Sequence, residues 1–465
     1  MLLLLPAVLL AATLIPSGTA SATATAPAGK AKEYTGTFKD GATYLIQVPA
    51  NWNGTLFLYS HGYVVPGEPN PAEDVGDSAT GHWMLGHGYA LAGSSYAITG
   101  WAVQYALKDQ IETLNTFDKV AGTPTRTIAW GHSLGGMITA GLIQDYPTRF
   151  NAALPMCGVL SGGVATWNTA LDAEFAFQQL VDPSVQVVNI TNPGGNLNSA
   201  EDALAASQKT AAGRARIALG AALADTPGWF TPLSAEPRAT AYAAQESNQY
   251  KWDGQVTFPF AFSLRAQLEA LAGGNPSWNT GVNFTQQLLE SSDLKEVVAL
   301  YQKAGLNLEA DLATLNNAAR VSADPTAVSY LKKYITYNGK INIPVLTMHT
   351  VGDGLVVNQN EQAYNALVAS KGNSDLLRQV FVNRAGHCAF TPAETIQAAR
   401  TLINRLNTGS WNATALTPAV MNTKAAALGP DYNIYPSGSG YAATPPAFLS
   451  YTPTNYLRPF PKPKA

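Results

Sequence analysis

The sequence predicts an α/β fold, a mostly parallel central sheet flanked by helices and interrupted by a large, mainly helical insertion. Three observations lead there. Short continuous apolar runs such as Thr55-Leu-Phe-Leu-Tyr-Ser60 and Pro344-Val-Leu-Thr-Met-His349 read as strands buried on both faces. Between them lie segments with apolar residues at helical spacing, joined by connections short enough to imply right-handed crossovers. From Cys157 to Ile343 the alternation stops, and helical patterns separated by Pro and Gly clusters take its place.

In chain order, residues 1–22 come first. An apolar run from Leu2 to Ile15, broken by Pro6 and Thr13, is followed by small residues ending in Ala20-Ser21-Ala22. That pattern predicts a secretory signal peptide, in a run too short for a membrane span, so the expected location is extracellular with no stable membrane insertion. Thr23 to Lys32 then forms a flexible leader. Glu33–Phe38 and Ala42–Val48 are paired strands around the turn Lys39-Asp40-Gly41. After the buried strand at Thr55 come a short helix at Gly81–Gly88, a strand at Tyr89–Ala97 and a helix at Ala102–Val120 carrying Val103, Leu107, Ile111, Leu114 and Phe117 on one face. Thr127 to Gly141 reads as strand, tight turn and helix, and Ala152–Cys157 as the next strand.

Residues 33–157 and 343–408 thus form the α/β core. Residues 158–342 are the helical cap insertion, with helices expected at Ala170–Leu180, Ser199–Ala224, Phe260–Ala272, Phe284–Leu289, Leu294–Ala304, Leu308–Ala319 and Thr326–Tyr334. The core resumes with a strand at Pro344, a helix at Glu361–Lys371, a strand at Leu376–Val382 and a helix at Pro392–Asn407. Residues 409–465, rich in Pro, Gly and Tyr, are a C-terminal extension that either wraps the core or stays partly loose.

Composition narrows the function classes. With 465 residues, 46% hydrophobic and 13% charged, the chain can bury a large core. The net charge is −3 and no Lys/Arg run is long enough to track a phosphate backbone, which argues against nucleic acid as a partner. The even pair of cysteines, Cys157 and Cys388, favours one disulfide in an exported protein, two buried free thiols being the alternative. The sequence leaves the oligomeric state open.

The chemistry centres on Gly131-His132-Ser133-Leu134-Gly135. A serine on a strand-to-helix bend adopts a strained backbone that only small neighbours tolerate, hence the flanking glycines; its Oγ stands above the sheet, and the Leu134 N–H points at whatever Ser133 attacks. Strand Thr55–Ser60 ends in His61-Gly62-Tyr63, where a glycine lets the backbone approach a bound oxygen, making the Tyr63 N–H the candidate second oxyanion donor. A serine hydroxyl needs a base, and the base needs a third group to fix its tautomer. Of six histidines, His387 sits on a loop after the last core strand, at the same sheet edge as Ser133, and is the best base; His349 is the runner-up. His61 and His132 are supporting residues beside the oxyanion strand and the serine turn. Asp353, in a Gly-flanked turn after the resumed strand, is the acid, with Asp172 and Glu174 as fallbacks.

Together, Ser60-His61-Gly62-Tyr63, Gly131-His132-Ser133-Leu134-Gly135-Gly136, Val351-Gly352-Asp353 and Gly386-His387 resemble the α/β-hydrolase superfamily, in two halves around the insertion. The resemblance implies Ser133 as nucleophile, His387 as base and then acid, Asp353 as orienting carboxylate, and the Tyr63 and Leu134 N–H groups as oxyanion hole. Tannase-type feruloyl esterases bridge a cysteine before the serine to one after the histidine; here Cys388 follows His387, but His132 precedes Ser133. Prolyl aminopeptidases also have a helical cap, yet carry a longer His-Gly-Gly-Pro-Gly oxyanion motif where this chain has His-Gly-Tyr. Cys157 ends the strand after the serine helix and Cys388 adjoins His387, so both belong at the same sheet edge, where a bridge would hold the base in register. The expected function is a secreted serine hydrolase of carboxylic esters, needing no metal or organic cofactor. Its substrate is a small molecule with an apolar or aromatic portion, suggested by Trp167, Phe175, Phe177, Trp229, Phe230, Tyr250, Trp252, Phe258, Phe260 and Phe262 in the insertion. A capped aminopeptidase and a non-catalytic binding protein on the same fold are the alternatives.

Overall fold

A computed structural model describes residues 31–462; the expected signal peptide at residues 1–22 lies outside the described residues. The chain begins with an antiparallel hairpin, β1 (Lys32–Thr37) and β2 (Thr43–Val48), turning at the predicted Lys39-Asp40-Gly41. There follow β3 (Thr55–Ser60), α1 (Ser78–Gly86), β4 (Ala90–Ser94), α2 (Val103–Ala121), β5 (Arg126–His132), α3 (Leu134–Asp145) and β6 (Ala152–Met156). Local chemistry sets the ends: Asp77 caps α1 by accepting the Thr80 N–H at 2.8 Å, and Gly122, with φ of 91°, stops α2.

The next stretch is helical: α4 (Gly162–Leu180), α5 (Pro193–Ser207), α6 (Ala211–Leu223), α7 (Tyr242–Trp252), two π-type turns at Asp253–Thr257 and Phe260–Leu264, α8 (Arg265–Ala272), α9 (Phe284–Glu290), α10 (Leu294–Ala304), α11 (Leu308–Asn317) and α12 (Pro325–Lys333). The segment expected as one helix from Ser199 to Ala224 is two, because the Thr210 side chain caps α6 by accepting the Gly213 N–H at 2.9 Å. Helix α7 has no counterpart in the sequence reading. Asn168–Phe230 and Pro237–Ala327 form one compact unit, with a core of Phe175, Leu219, Phe284, Leu288, Val297 and Tyr301 and a second cluster around Phe177, Phe258 and Phe262. Of the ten aromatic rings named above, Phe175, Phe177, Trp229, Trp252, Phe258 and Phe262 are buried in this unit.

The other unit takes the residues up to Trp167, Thr231–Glu236 and everything from Val328 onward. It resumes with β7 (Val345–Gly352), α13 (Gln359–Ala369), β8 (Leu377–Ala385) and α14 (Pro392–Thr408). The extension is ordered: α15 (Pro418–Ala426), a small hairpin of β9 (Ile434–Ser437) and β10 (Gly440–Ala443), and β11 (Phe448–Leu449). It wraps the core, since Met421, Ala425 and Phe448 are buried with residues of the sheet and α14.

Nine strands form one sheet in the order β1-β2-β4-β3-β5-β6-β7-β8-β11. From β4 to β8 every pairing is parallel, while β1, β2 and β11 are antiparallel additions at the edges. Strand β3 is buried at all six positions, as its unbroken apolar run requires. Its alternate residues Phe57 and Tyr59 join Ile128 and Trp130 of β5 in the cluster containing Trp83 of α1 and Leu402 of α14, whereas α2 and α3 pack on each other and on β3. Because β3, β5, β6, β7 and β8 run parallel, their carboxyl ends share one sheet edge. That edge receives His61-Gly62, Ser133, Cys157, Asp353 and His387-Cys388. No helix among the described residues is long and apolar enough to cross a membrane.

Candidate active site

Ser133 occupies the single residue between β5 and α3, with φ of 59° and ψ of −123°, a conformation costly for a non-glycine residue. Its own N–H donates to Met156 O at 3.0 Å, and the Cys157 N–H donates to Met348 O at 2.8 Å, so the ends of β5, β6 and β7 are laced together beneath it. The flanking glycines are close approaches of backbone to backbone. A Cβ on Gly135 would come within 2.5 Å of the Ser60 carbonyl carbon and 2.6 Å of His61 O, and one on Gly131 within 2.7 Å of Gly135 O. A Cβ on Gly62 would stand 3.4 Å from Ser133 Cβ, which puts the end of β3 beside the candidate nucleophile. Leu134 opens α3, where first-turn N–H groups have no partner inside the helix.

His387 Nε2 lies 2.7 Å from Ser133 Oγ, and its Nδ1 lies 2.7 Å from Asp353 Oδ2. The predicted trio is therefore one hydrogen-bonded chain. Asp353 is fully buried, the His387 side chain is 13% exposed and Ser133 is half-buried, so the acid is sealed while the hydroxyl can be reached. Asp353 Oδ1 accepts the N–H groups of Leu355 at 3.0 Å and Val356 at 2.9 Å. Burial alone would raise the Asp353 carboxyl; the charge of His387 and the hydrogen bonds from His349 and His387 outweigh it and hold the group at about 2. An ionised carboxylate on Nδ1 leaves the Nε2 lone pair facing the serine.

The loop carrying His387 is clamped on several sides. Gly386, with φ of 100°, donates its N–H to Gly352 O at 2.9 Å, and its carbonyl accepts the Thr350 hydroxyl at 2.7 Å. Cys388 is bonded to Cys157, the bridge expected from their places at the sheet edge. Buried Arg384 donates to Ala389 O at 2.6 Å and, bidentately, to Glu394 at 2.7 and 3.1 Å. Glu394 completes a capping box with Thr391 at the start of α14. The sequence reading missed Arg384 and Glu394; the signal was a Thr-Pro-Ala-Glu capping box directly after the histidine. It also missed Pro232, whose ring sits where a Cβ on Gly386 would be, 2.9 Å away.

The supporting histidines are neutral. Burial lowers His61 to about 4; its ring stacks on Tyr96 at 3.9 Å, and the Tyr96 hydroxyl donates to His61 O at 3.0 Å. Burial and then the charge of His387 lower His132 to about 4, and its Nδ1 lies 3.1 Å from the Tyr59 hydroxyl. His349 is no base for Ser133: its side chain is fully buried, with Nε2 2.7 Å from Val356 O and Nδ1 3.2 Å from Glu361. Among the described residues no group of three His, Cys, Asp or Glu side chains could hold a metal ion.

No family model matches the chain. It is 29% identical over 415 residues to o-phthalyl amidase of Xanthobacter agilis, covering 82% of this chain and 89% of the relative. Among solved structures it is similar to feruloyl esterase B from Aspergillus oryzae, with a TM-score of 0.42 and 13% identity over 82% of this chain and 81% of the other. It is also similar to the acylaminoacyl peptidase of Pyrococcus horikoshii, with a TM-score of 0.35 and 8% identity over 78% of this chain and 38% of the other. The parallel sheet itself, with the serine on the turn after β5, the acid after β7 and the histidine after β8, is an α/β-hydrolase fold.

Proposed function

We propose that the chain is a serine hydrolase that transfers an acyl group to water, with a carboxylic ester as substrate. The observation that carries this reading is the unbroken chain Ser133 Oγ, His387 Nε2, His387 Nδ1, Asp353 Oδ2, with both links at 2.7 Å. Ser133 Oγ attacks the acyl carbonyl carbon as His387 takes its proton, and Asp353 holds the resulting imidazolium in place. The negative oxygen of the tetrahedral intermediate rests on the Leu134 and Tyr63 N–H groups. His387 then protonates the leaving alcohol, and water, deprotonated by the same histidine, releases the acid from Ser133.

An ester is the least demanding substrate for such a relay, since an alkoxide departs more readily than an amine. A second reading, an amide, is favoured by the relative named o-phthalyl amidase, which aligns over 82% of this chain. It would make an aromatic acyl group the recognised part. A non-catalytic protein on the same fold has no need of a sealed acid behind an accessible serine. The disulfide and the Ala20-Ser21-Ala22 pattern support export, because such a bond persists in oxidising compartments.

The test is a matched panel of nitrophenyl esters and nitroanilides bearing the same acyl groups, run on the native chain and on Ser133→Ala. Ser133→Ala should abolish turnover, a fall of at least about 10³-fold, while leaving the thermal transition in place. Substantial residual turnover would overturn the assignment of the nucleophile, and amide turnover exceeding that of the matched ester would replace the first reading by the second.

A further inference from the structure

At Asp353 Oδ2, the oxygen that also meets His387, begins a second buried ionic group that the proposed chemistry does not use. His349 stands on β7 four residues before Asp353, and its ring is fully buried. Nδ1 lies 3.2 Å from Glu361 Oε1 on α13; Nε2 lies 2.7 Å from Val356 O and 3.5 Å from Asp353 Oδ2. Both ring nitrogens thus face oxygen acceptors. A carbonyl cannot donate, and the other Glu361 oxygen, Oε2, accepts the Thr347 hydroxyl and the Gln379 side-chain amide. An imidazole that meets acceptors at both nitrogens satisfies them only as the doubly protonated cation.

We propose that His349 is a positioning residue, a buried imidazolium clamped between Glu361 and Asp353 that orients the Asp353 carboxylate and weakens its hold on the His387 proton. This rests on the serine-hydrolase reading. Burial by itself would lower His349, but the hydrogen bonds and charges of Asp353 and Glu361 outweigh it and raise the group to about 10, so the cation persists across the working range of a serine hydrolase.

Asp353 faces His349 from the turn after β7 and Glu361 from α13; Gln379 of β8 is neutral. Tyr364, the next turn of α13, is kept protonated by burial and by the Glu361 charge. At the same Asp353 oxygen stands His387, which also meets Ser133 and whose charge acts on His132. A cation beside the Asp353 oxygen that meets His387 shares the negative charge that otherwise belongs to His387. The base therefore gives up its proton at lower pH, and the serine stays reactive in stronger acid than an unshared aspartate would permit.

The test uses the full chain and a fluorophosphonate, whose rate of covalent labelling is measured from pH 4 to 9 in steps of about half a unit, a range that spans the titration of histidine. Three chains are compared: native, His349→Gln, and His349→Gln/Glu361→Gln. The double variant removes both buried charges together and guards against unfolding of the single one. The acid limb of the labelling profile should move up by roughly 1 pH unit in the double variant and at least as far in the single variant, where Glu361 is left uncompensated. An unshifted limb, with or without a lower plateau rate, would reduce His349 to a packing residue and overturn the proposal. A native chain that takes no label would refute the hydrolase reading and the role of His349 with it, so the two failures are distinct. In parallel, ring-nitrogen NMR of the native chain at pH 7.5, with His349 identified by its loss in His349→Gln, should find both nitrogens protonated; one bare nitrogen would also overturn it.

Discussion

Gly135→Ala puts the close packing under Ser133 to a quantitative test. The added methyl would collide first with Ser60 O and would lie 2.5 Å from the Ser60 carbonyl carbon and 2.6 Å from His61 O. A carbon keeps about 3.3 Å from a carbonyl oxygen, so relieving His61 O alone needs about 0.7 Å and the closer Ser60 O drives the end of β3 and the first turn of α3 further apart than that. Both obstacles are backbone and cannot swing aside. Overpacking of this kind costs about 1–3 kcal/mol, which for a chain of this size lowers the thermal midpoint by only a few degrees. The effect on rate should be larger, because the displaced backbone carries Gly62 and Tyr63, and a misplacement near 1 Å costs on the order of 10²-fold. Calorimetry and ester turnover would be run on Gly135→Ala beside Gly86→Ala, a helical position where the new methyl meets nothing within 4 Å. The control should match the native chain in rate and gain up to about 1 kcal/mol from helix propensity. If Gly135→Ala kept native turnover, the account of the glycine as the spacer that registers the oxyanion strand against the serine would be wrong.

Two further outcomes can be measured. Replacing Cys157 and Cys388 together by Ser opens a loop of sequence separation 231, which the chain-entropy model values at about 5 kcal/mol. Denaturant unfolding should register a loss of that order, and turnover should fall more than stability at ambient temperature because His387 adjoins Cys388; an unchanged midpoint would mean that the other clamps on this loop suffice. The helical unit buries Glu296, which burial, then the charge of Asp293, raises from 4.5 to about 8. The unfolded chain therefore releases this proton first, and the contribution of Glu296 to stability is lost as pH rises from about 4.5 to about 8. Glu296→Gln should flatten that slope and add on the order of 2–4 kcal/mol at pH 8, read from urea midpoints at pH 5 and 8, and an unchanged slope would place the titration elsewhere.

The residues that carry the candidate site were legible because each stands where a buried strand ends, and buried strands announce themselves as unbroken apolar runs. Ser133, Asp353 and His387 needed no side-chain geometry to be chosen, only the rule that a parallel sheet gathers its carboxyl ends. His349 was visible as a residue and taken as the runner-up base, since nothing in a sequence tells a histidine that faces Ser133 from one that faces Asp353 and Glu361. Its partner Glu361, on the next helix, looked like an ordinary first-turn acid. Helix α7 escaped for a different reason: the residues it buries are Glu246, Gln249 and Trp252, so its inward face is mostly polar and leaves no apolar stripe to find. In the extension, β11 is two residues long and earns its place only by pairing with β8.

That short strand also covers an edge of the sheet. Without β11 and the residue before it, β8 would present the Asn383 N–H, which now donates to Ala447 O at 2.8 Å, and its other outward backbone groups to solvent at the rim of the sheet. Such a rim is a template on which a second copy can lay its own strand. The Ala447 N–H is held by Glu394, the same carboxylate that pins Arg384 beside the histidine loop. The extension and the His387 loop are thus both fastened through Glu394, so damage at either place should invite self-association as well as loss of turnover.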